Sequence, residues 1–112
     1  MLLEEELPGT VTYRNYRTPK RYSKLRKQTV MGAIVLTDRR LLVWANRVKH
    51  VDVPHHDPLR AGIKVTVDQP DRICVSYDAG AGNPDMSGQV EVRLRTARAS
   101  TIAWMCRDLA AR

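Results

Sequence analysis

The sequence predicts a mainly β chain: a seven-stranded, strongly bent antiparallel sheet or partly open barrel, capped by one C-terminal α-helix. Three observations carry this expectation. Apolar and polar residues alternate through most of the chain, and Pro- or Gly-containing breaks recur between the alternating runs. After Arg95 the apolar period lengthens to that of a helix. A length of 112 residues suits a single domain spanning 1–112. Hydrophobic residues at 43% and charged residues at 28% are the composition of a globular chain rather than a disordered one.

The elements follow in order. Val11 and Tyr13 begin a weak strand that ends near Arg17, and Thr18-Pro19-Lys20 breaks it. Val30 to Leu36 is apolar on both faces, as in a strand covered on two sides or curled into a barrel. Asp38-Arg39 then sits where a two-residue hairpin turn places its central pair, with Thr37 and Arg40 closing it. Asp tolerates the left-handed backbone and bonds nearby amides, so Thr37 and Asp38 are read as turn-formers. This register puts Leu41 and Val43 on one face and Arg40, Leu42 and Trp44 on the other. Arg40 is expected to anchor the turn structurally, by pairing with an acid or by capping a barrel end.

Val51 and Val53 mark the next strand, closed by Pro54. Ile63, Val65 and Val67 alternate with polar neighbours, as do Ile73, Val75 and Tyr77, and the turn at Gln69-Pro70-Asp71 separates the two runs. Ala79 to Asp85 is a Gly-rich loop. Gln89 to Arg95 alternates cleanly, with Val90, Val92 and Leu94 facing a core. Ala99, Ile102, Ala103, Cys106, Leu109 and Ala110 form the stripe of the terminal helix, with Thr96 placed to cap it.

Charge narrows the function classes. The net charge is +7 and the isoelectric point near 9.9, which favours a polyanionic partner. After Glu4, Glu5 and Glu6 come Arg14, Arg17, Lys20, Arg21, Lys24, Arg26 and Lys27 without an intervening acid. Such a cluster suits an anionic membrane surface or an acidic protein. Tyr13, Tyr16 and Tyr22 interleave with it and would also suit stacking on single-stranded nucleic acid, which ranks behind the other two. A solvated, mobile loop is the plain alternative.

No apolar run approaches the ~20 residues that span a bilayer. The acidic N-terminus lacks the basic segment of a signal peptide, and the two cysteines, Cys74 and Cys106, lack disulfide-framework or zinc spacing. A cytoplasmic, reduced setting, at most membrane-peripheral, is expected. His55-His56-Asp57, bracketed by prolines, reads as a surface loop rather than a metal site, even with His50 as a third ligand. No catalytic motif is complete, so neither catalytic residues nor a cofactor or metal is expected.

The stretch GAIVLTDRRLLVWANRVKHVDVP resembles the central hairpin of bacterial PH-like and GRAM-like domains. Those domains carry an apolar strand, T-x-x-R-L, a second apolar strand, a short turn and a strand ending in proline. Leu36 to Leu41 match the motif and Val51 to Pro54 the following strand, and the whole resembling stretch is about a fifth of the chain. The resemblance implies a non-enzymatic binding or scaffolding module, with ligands or partners at the open barrel end near residues 14–27. Lys20 with Lys24-Leu25-Arg26 is similar to the basic pattern of lipid-binding members. Some members self-associate, so a homo-oligomer is a further expectation. Trp104 departs from the family, whose helix tryptophan packs into the core. At about 100° per residue it lies nearly opposite the apolar stripe, facing Leu2, Leu3 and Leu7 or another chain, with the leucines preferred.

Overall fold

The computed structural model describes residues 3–81 and 85–111, Leu3 through its backbone only. Leu2, Arg112 and the Gly82–Pro84 portion of the Gly-rich loop lie outside the described residues. The elements are β1 (Leu3–Thr18), β2 (Arg21–Leu36), β3 (Arg40–Ala45), β4 (Val48–Pro54), β5 (Lys64–Gln69), β6 (Arg72–Asp78), β7 (Ser87–Arg95) and α1 (Ala99–Ala111), with a 3-10 turn at Pro58–Gly62. The seven strands form one antiparallel half-barrel in the order β4-β3-β2-β1-β7-β6-β5. β4 and β5 are its two free edges, and the 3-10 turn crosses the gap between them.

Period-two residues build the core. Ile34 and Leu36 of β2, Leu41 and Val43 of β3, Ile73 and Val75 of β6, and Val90, Val92 and Leu94 of β7 are almost wholly buried. Each such side chain contributes roughly 1.5–3 kcal/mol through removal from water. The stripe of α1 completes the core with Ala99, Ile102, Ala103, Cys106 and Leu109 buried against β5 and β6. Val67 is 42% exposed on the edge strand β5, although it stays paired with Ile73 of β6. Thr96 is buried but does not cap α1. Its hydroxyl accepts from the Arg98 amide at 3.1 Å, while the Arg98 carbonyl accepts the first helical bond from Ile102.

The first hairpin is much longer than the apolar pattern implies. β1 and β2 are 16 residues each and stay in register from Leu3↔Leu36 to Thr18↔Arg21. The acidic Glu4–Glu6 segment is therefore strand, and so is most of 14–27, which the sequence suggested was a loop. Pro8 precedes the start of the β1–β7 ladder, where its missing N–H costs no cross-strand bond. Gly9 follows because the ladder closes tightly there: a Cβ at Gly9 would sit 1.8 Å from the Arg93 carbonyl oxygen.

Candidate functional site: the open end beside the basic hairpin

At the Thr37–Arg40 turn, the Thr37 amide donates to the Arg40 carbonyl at 3.1 Å, and the Thr37 hydroxyl accepts from the Arg39 and Arg40 amides. Asp38 is exposed at its tip. Arg40 reaches across to Asp52 of β4 at 2.6 Å, fastening the β3–β4 pair. His55 is not on the surface. It is 3% exposed and its Nε2 donates to the Thr37 carbonyl at 2.8 Å, so it buttresses the same turn. His56 is exposed, and Asp57 caps the 3-10 turn by accepting from the Leu59 amide. His55, His56 and Asp57 border one shallow cleft with Arg60 and Arg107, but among the described residues no three metal-ligating side chains are grouped to hold an ion.

Arg60 fastens the helix end of the gap. It is 7% exposed, with its guanidinium donating to the carbonyls of Ile63 and Cys106. Burial pushes the Cys106 thiol up to about 11 and raises that of Cys74 as well, so both remain protonated at neutral pH.

The other end of the gap is open. A cavity of about 450 Å³ lies there between β4, the 3-10 turn, β6, β7 and the upper part of β1. Val51, Val53, Ala79 and Val90 form its inner wall; Leu59, Gly62, Ile63 and Met86 lie around them. Its aromatic side is Tyr13, Tyr16, His50 and Tyr77. The His50 Nδ1 and the Tyr77 hydroxyl share a hydrogen bond at 2.7 Å. Burial lowers the His50 pKa and raises that of Tyr77, so both are neutral near pH 7. Burial, helped by Tyr13, also raises Tyr16.

Two bulges aim these rings. On β4, Val51 pairs with Val43 but Lys49 pairs with Trp44, so His50 is an extra residue. Strict alternation would put His50 on the outer face with Asp52; the bulge turns it inward to Tyr77. On β1, Arg14 pairs with Gln89 and Arg17 with Ser87, which leaves an extra residue around Asn15 at φ 49°. Tyr16 is thereby brought to within 4.9 Å of Tyr13. Gly88 faces this bulge at φ +108°, where a Cβ would meet the Asn15 carbonyl at 2.5 Å.

The seven basic residues of 14–27 are not equivalent. Arg14 is paired with Glu91 of β7 at 2.6 Å, and this bond holds the Glu91 carboxyl below its usual range. Arg26 lies over the rings of Tyr13 and Tyr16, at 4.4 and 5.9 Å, and Arg17 lies over Tyr22 at 5.2 Å. Lys20, Arg21, Lys24 and Lys27 are exposed, and none is paired with a carboxylate among the described residues. Between them stand Tyr22, 53% exposed, and Leu25, 64% exposed.

Trp104 points away from the core at 59% exposure. Of the leucines expected to meet it, Leu7 is packed on the core; Leu2 and the Leu3 side chain lie outside the described residues.

Of this site, the sequence located the basic cluster and the tyrosines but missed the His50–Tyr77 pair. Tyr77 was legible, since it continues the inward parity of Ile73 and Val75. His50 was not, because its orientation comes from a bulge that no local pattern announces.

The class defined by fold and site is a mainly β half-barrel, plugged at one end by its C-terminal helix and open at the other beside a basic hairpin. No protein-family model, curated protein or solved structure matches the chain. Among the described residues, no helix is long and apolar enough to cross a membrane.

Proposed function

We propose that the chain is a PH-like, non-enzymatic binding module that docks on anionic membrane surfaces through the far half of the β1–β2 hairpin. One observation carries this reading: among the described residues Lys20, Arg21, Lys24 and Lys27 lack carboxylate partners, and they surround the exposed Tyr22 and Leu25. Cations alone would have a simpler explanation. Among the described residues, 21–30 of β2 have no strand on their outer side, and lysines on a free edge prevent pairing with other chains. That role does not need an exposed leucine and tyrosine, which suit the apolar boundary beneath lipid head groups.

The T-x-x-R-L hairpin and the order of seven strands and a helix support the PH-like assignment. The outward Trp104 is the departure from it. The nucleic-acid alternative is weaker because its stacking platform is occupied: Tyr13 and Tyr16 are half-buried beneath Arg26, leaving Tyr22 alone.

The test is co-sedimentation with vesicles of phosphatidylcholine and phosphatidylglycerol. The protein should pellet at low salt and release as salt rises, since each basic group near the surface contributes about 1 kcal/mol. Replacing Lys20, Arg21, Lys24 and Lys27 by Glu should abolish pelleting. A wild-type protein that stays in the supernatant at low salt would refute the reading, and tight binding to a single-stranded oligonucleotide in its place would favour the alternative.

A further inference from the structure

The cavity at the open end is separate from the exposed hairpin cations, and its chemistry is different. Its inner wall is aliphatic: Val51, Val53, Ala79 and Val90 are each less than a tenth exposed. The polar groups deepest in its aromatic side, His50 and Tyr77, are neutral and bonded to each other. A sugar or nucleobase would have to give up water there with little to replace it. An apolar chain would lose nothing. A volume of about 450 Å³ falls within the ordinary range of small-ligand sites, which are mostly apolar with a few placed polar groups.

Charged groups flank the cavity: Lys49, Asp52 and Asp78 line it, and Arg26, outside the lining itself, stacks on two of its rings, Tyr13 and Tyr16. Among the described residues the Arg26 guanidinium has no carboxylate partner and its buried Nε no acceptor. A donor left buried without an acceptor costs roughly 1–3 kcal/mol, which an anion placed beside it would recover. The aromatic wall exists because two bulges, at Asn15 and His50, turn Tyr16 and His50 out of simple alternation. Bulges that re-aim side chains gather at functional sites.

We infer that this cavity binds the apolar chain of a single-chain anionic amphiphile, with the carboxylate or phosphate end held by Arg26. The inference goes beyond membrane docking and stands on different residues. The hairpin cations meet a surface; the cavity takes one chain.

Gly62 gives a clean way to test it. It lines the cavity, and a Cβ added there meets no atom within 4 Å, so a larger side chain can occupy the space without displacing backbone. Calorimetric titration of the full chain would use decanoate, decyl phosphate and 1-decanol, each below its aggregation or solubility limit. Both anions should bind saturably, and decanol about tenfold more weakly. Gly62→Phe should remove binding of all three. Arg26→Gln should bring the anions down to the affinity of decanol. If Gly62→Phe melts early, Leu59→Trp, at a half-exposed position on the same cavity, replaces it.

The four-residue Glu variant of the hairpin should keep decanoate binding while losing vesicles, and Gly62→Phe should keep vesicles while losing decanoate. Failure of one reading is thus distinguishable from failure of the other. Absence of anion binding by the wild type overturns the inference. So does unchanged affinity in a folded Gly62→Phe or Leu59→Trp protein. Decanol binding as tightly as decanoate overturns the role of Arg26. Better binding of decanoate than decyl phosphate, or the reverse, assigns the head group.

Discussion

The β1–β2 hairpin is one ribbon with two unlike halves. Near its base, Ile34 and Leu36 lie in the core and β3 covers the outer edge of β2. Beyond Val30 the same strands remain paired, yet almost nothing on β2 is buried. The base half is held by removal of apolar surface from water. The far half is held by cross-strand hydrogen bonds, by the β7 ladder along β1, and by contacts such as Arg14–Glu91 and Arg26 over Tyr13. The difference shows that a strand can be carried by its neighbours where its own composition argues against it. It also explains how exposed cations are presented on a regular scaffold rather than a floppy loop.

Both halves depend most heavily on the point where β1 meets β7. Gly9→Val would drive a side chain into the Arg93 carbonyl and prevent the ladder that supports both halves. We expect a loss above about 4 kcal/mol, visible as absence of a cooperative melt. Next come leucines from the core and from the far half. Leu94→Ala, at a wholly buried position, should cost about 3 kcal/mol in denaturant unfolding. Leu25→Ala, at an exposed one, should cost less than about 0.5 kcal/mol. Equal losses would mean that the far half is packed after all.

A smaller effect is expected from pH at the cavity between the halves. His50 meets Tyr77 and Tyr13 inside, with Lys49 and Asp52 beside it on β4, and burial holds its pKa below the ordinary 6.5. The unfolded chain therefore takes up a proton first as pH falls. The contribution of neutral His50 is complete above about pH 6.5 and declines below it until the folded-state pKa is passed. Thermal melts from pH 7.5 to 5 should show this decline, and His50→Gln should flatten it. Smallest of all, the Glu-substituted hairpin should melt within about 0.5 kcal/mol of wild type, since its cations lack partners to lose. A large drop would make those residues structural and weaken the membrane reading.

How much was legible follows from the same physics. The place of the Thr37–Arg40 turn and the structural role of Arg40 could be read because turn chemistry is local, although Asp38 does not take the left-handed backbone that was expected of it. The helix stripe was equally plain. The paired state of Arg21 to Thr29 was not, because apart from Tyr22 and Leu25 those residues are polar on both faces and the opposing β1 residues hold them extended. His55 misled for a related reason: flanking prolines suggest a surface loop, yet its ring is buried against a carbonyl 18 positions earlier in the chain.

By itself, then, the sequence determined the fold class, the strand-rich order, the helix and its buried face, and the basic cluster. Each is encoded in periodicity, turn residues or charge within a short window. The tertiary structure alone decided which of the seven basic residues are free, that the hairpin is strand nearly to its tip, and that His50 and Tyr77 meet in a cavity. Those outcomes depend on partners far apart in sequence, Arg14 with Glu91 and His50 with Tyr77, and on two bulges whose single extra residues reverse the facing that alternation predicts.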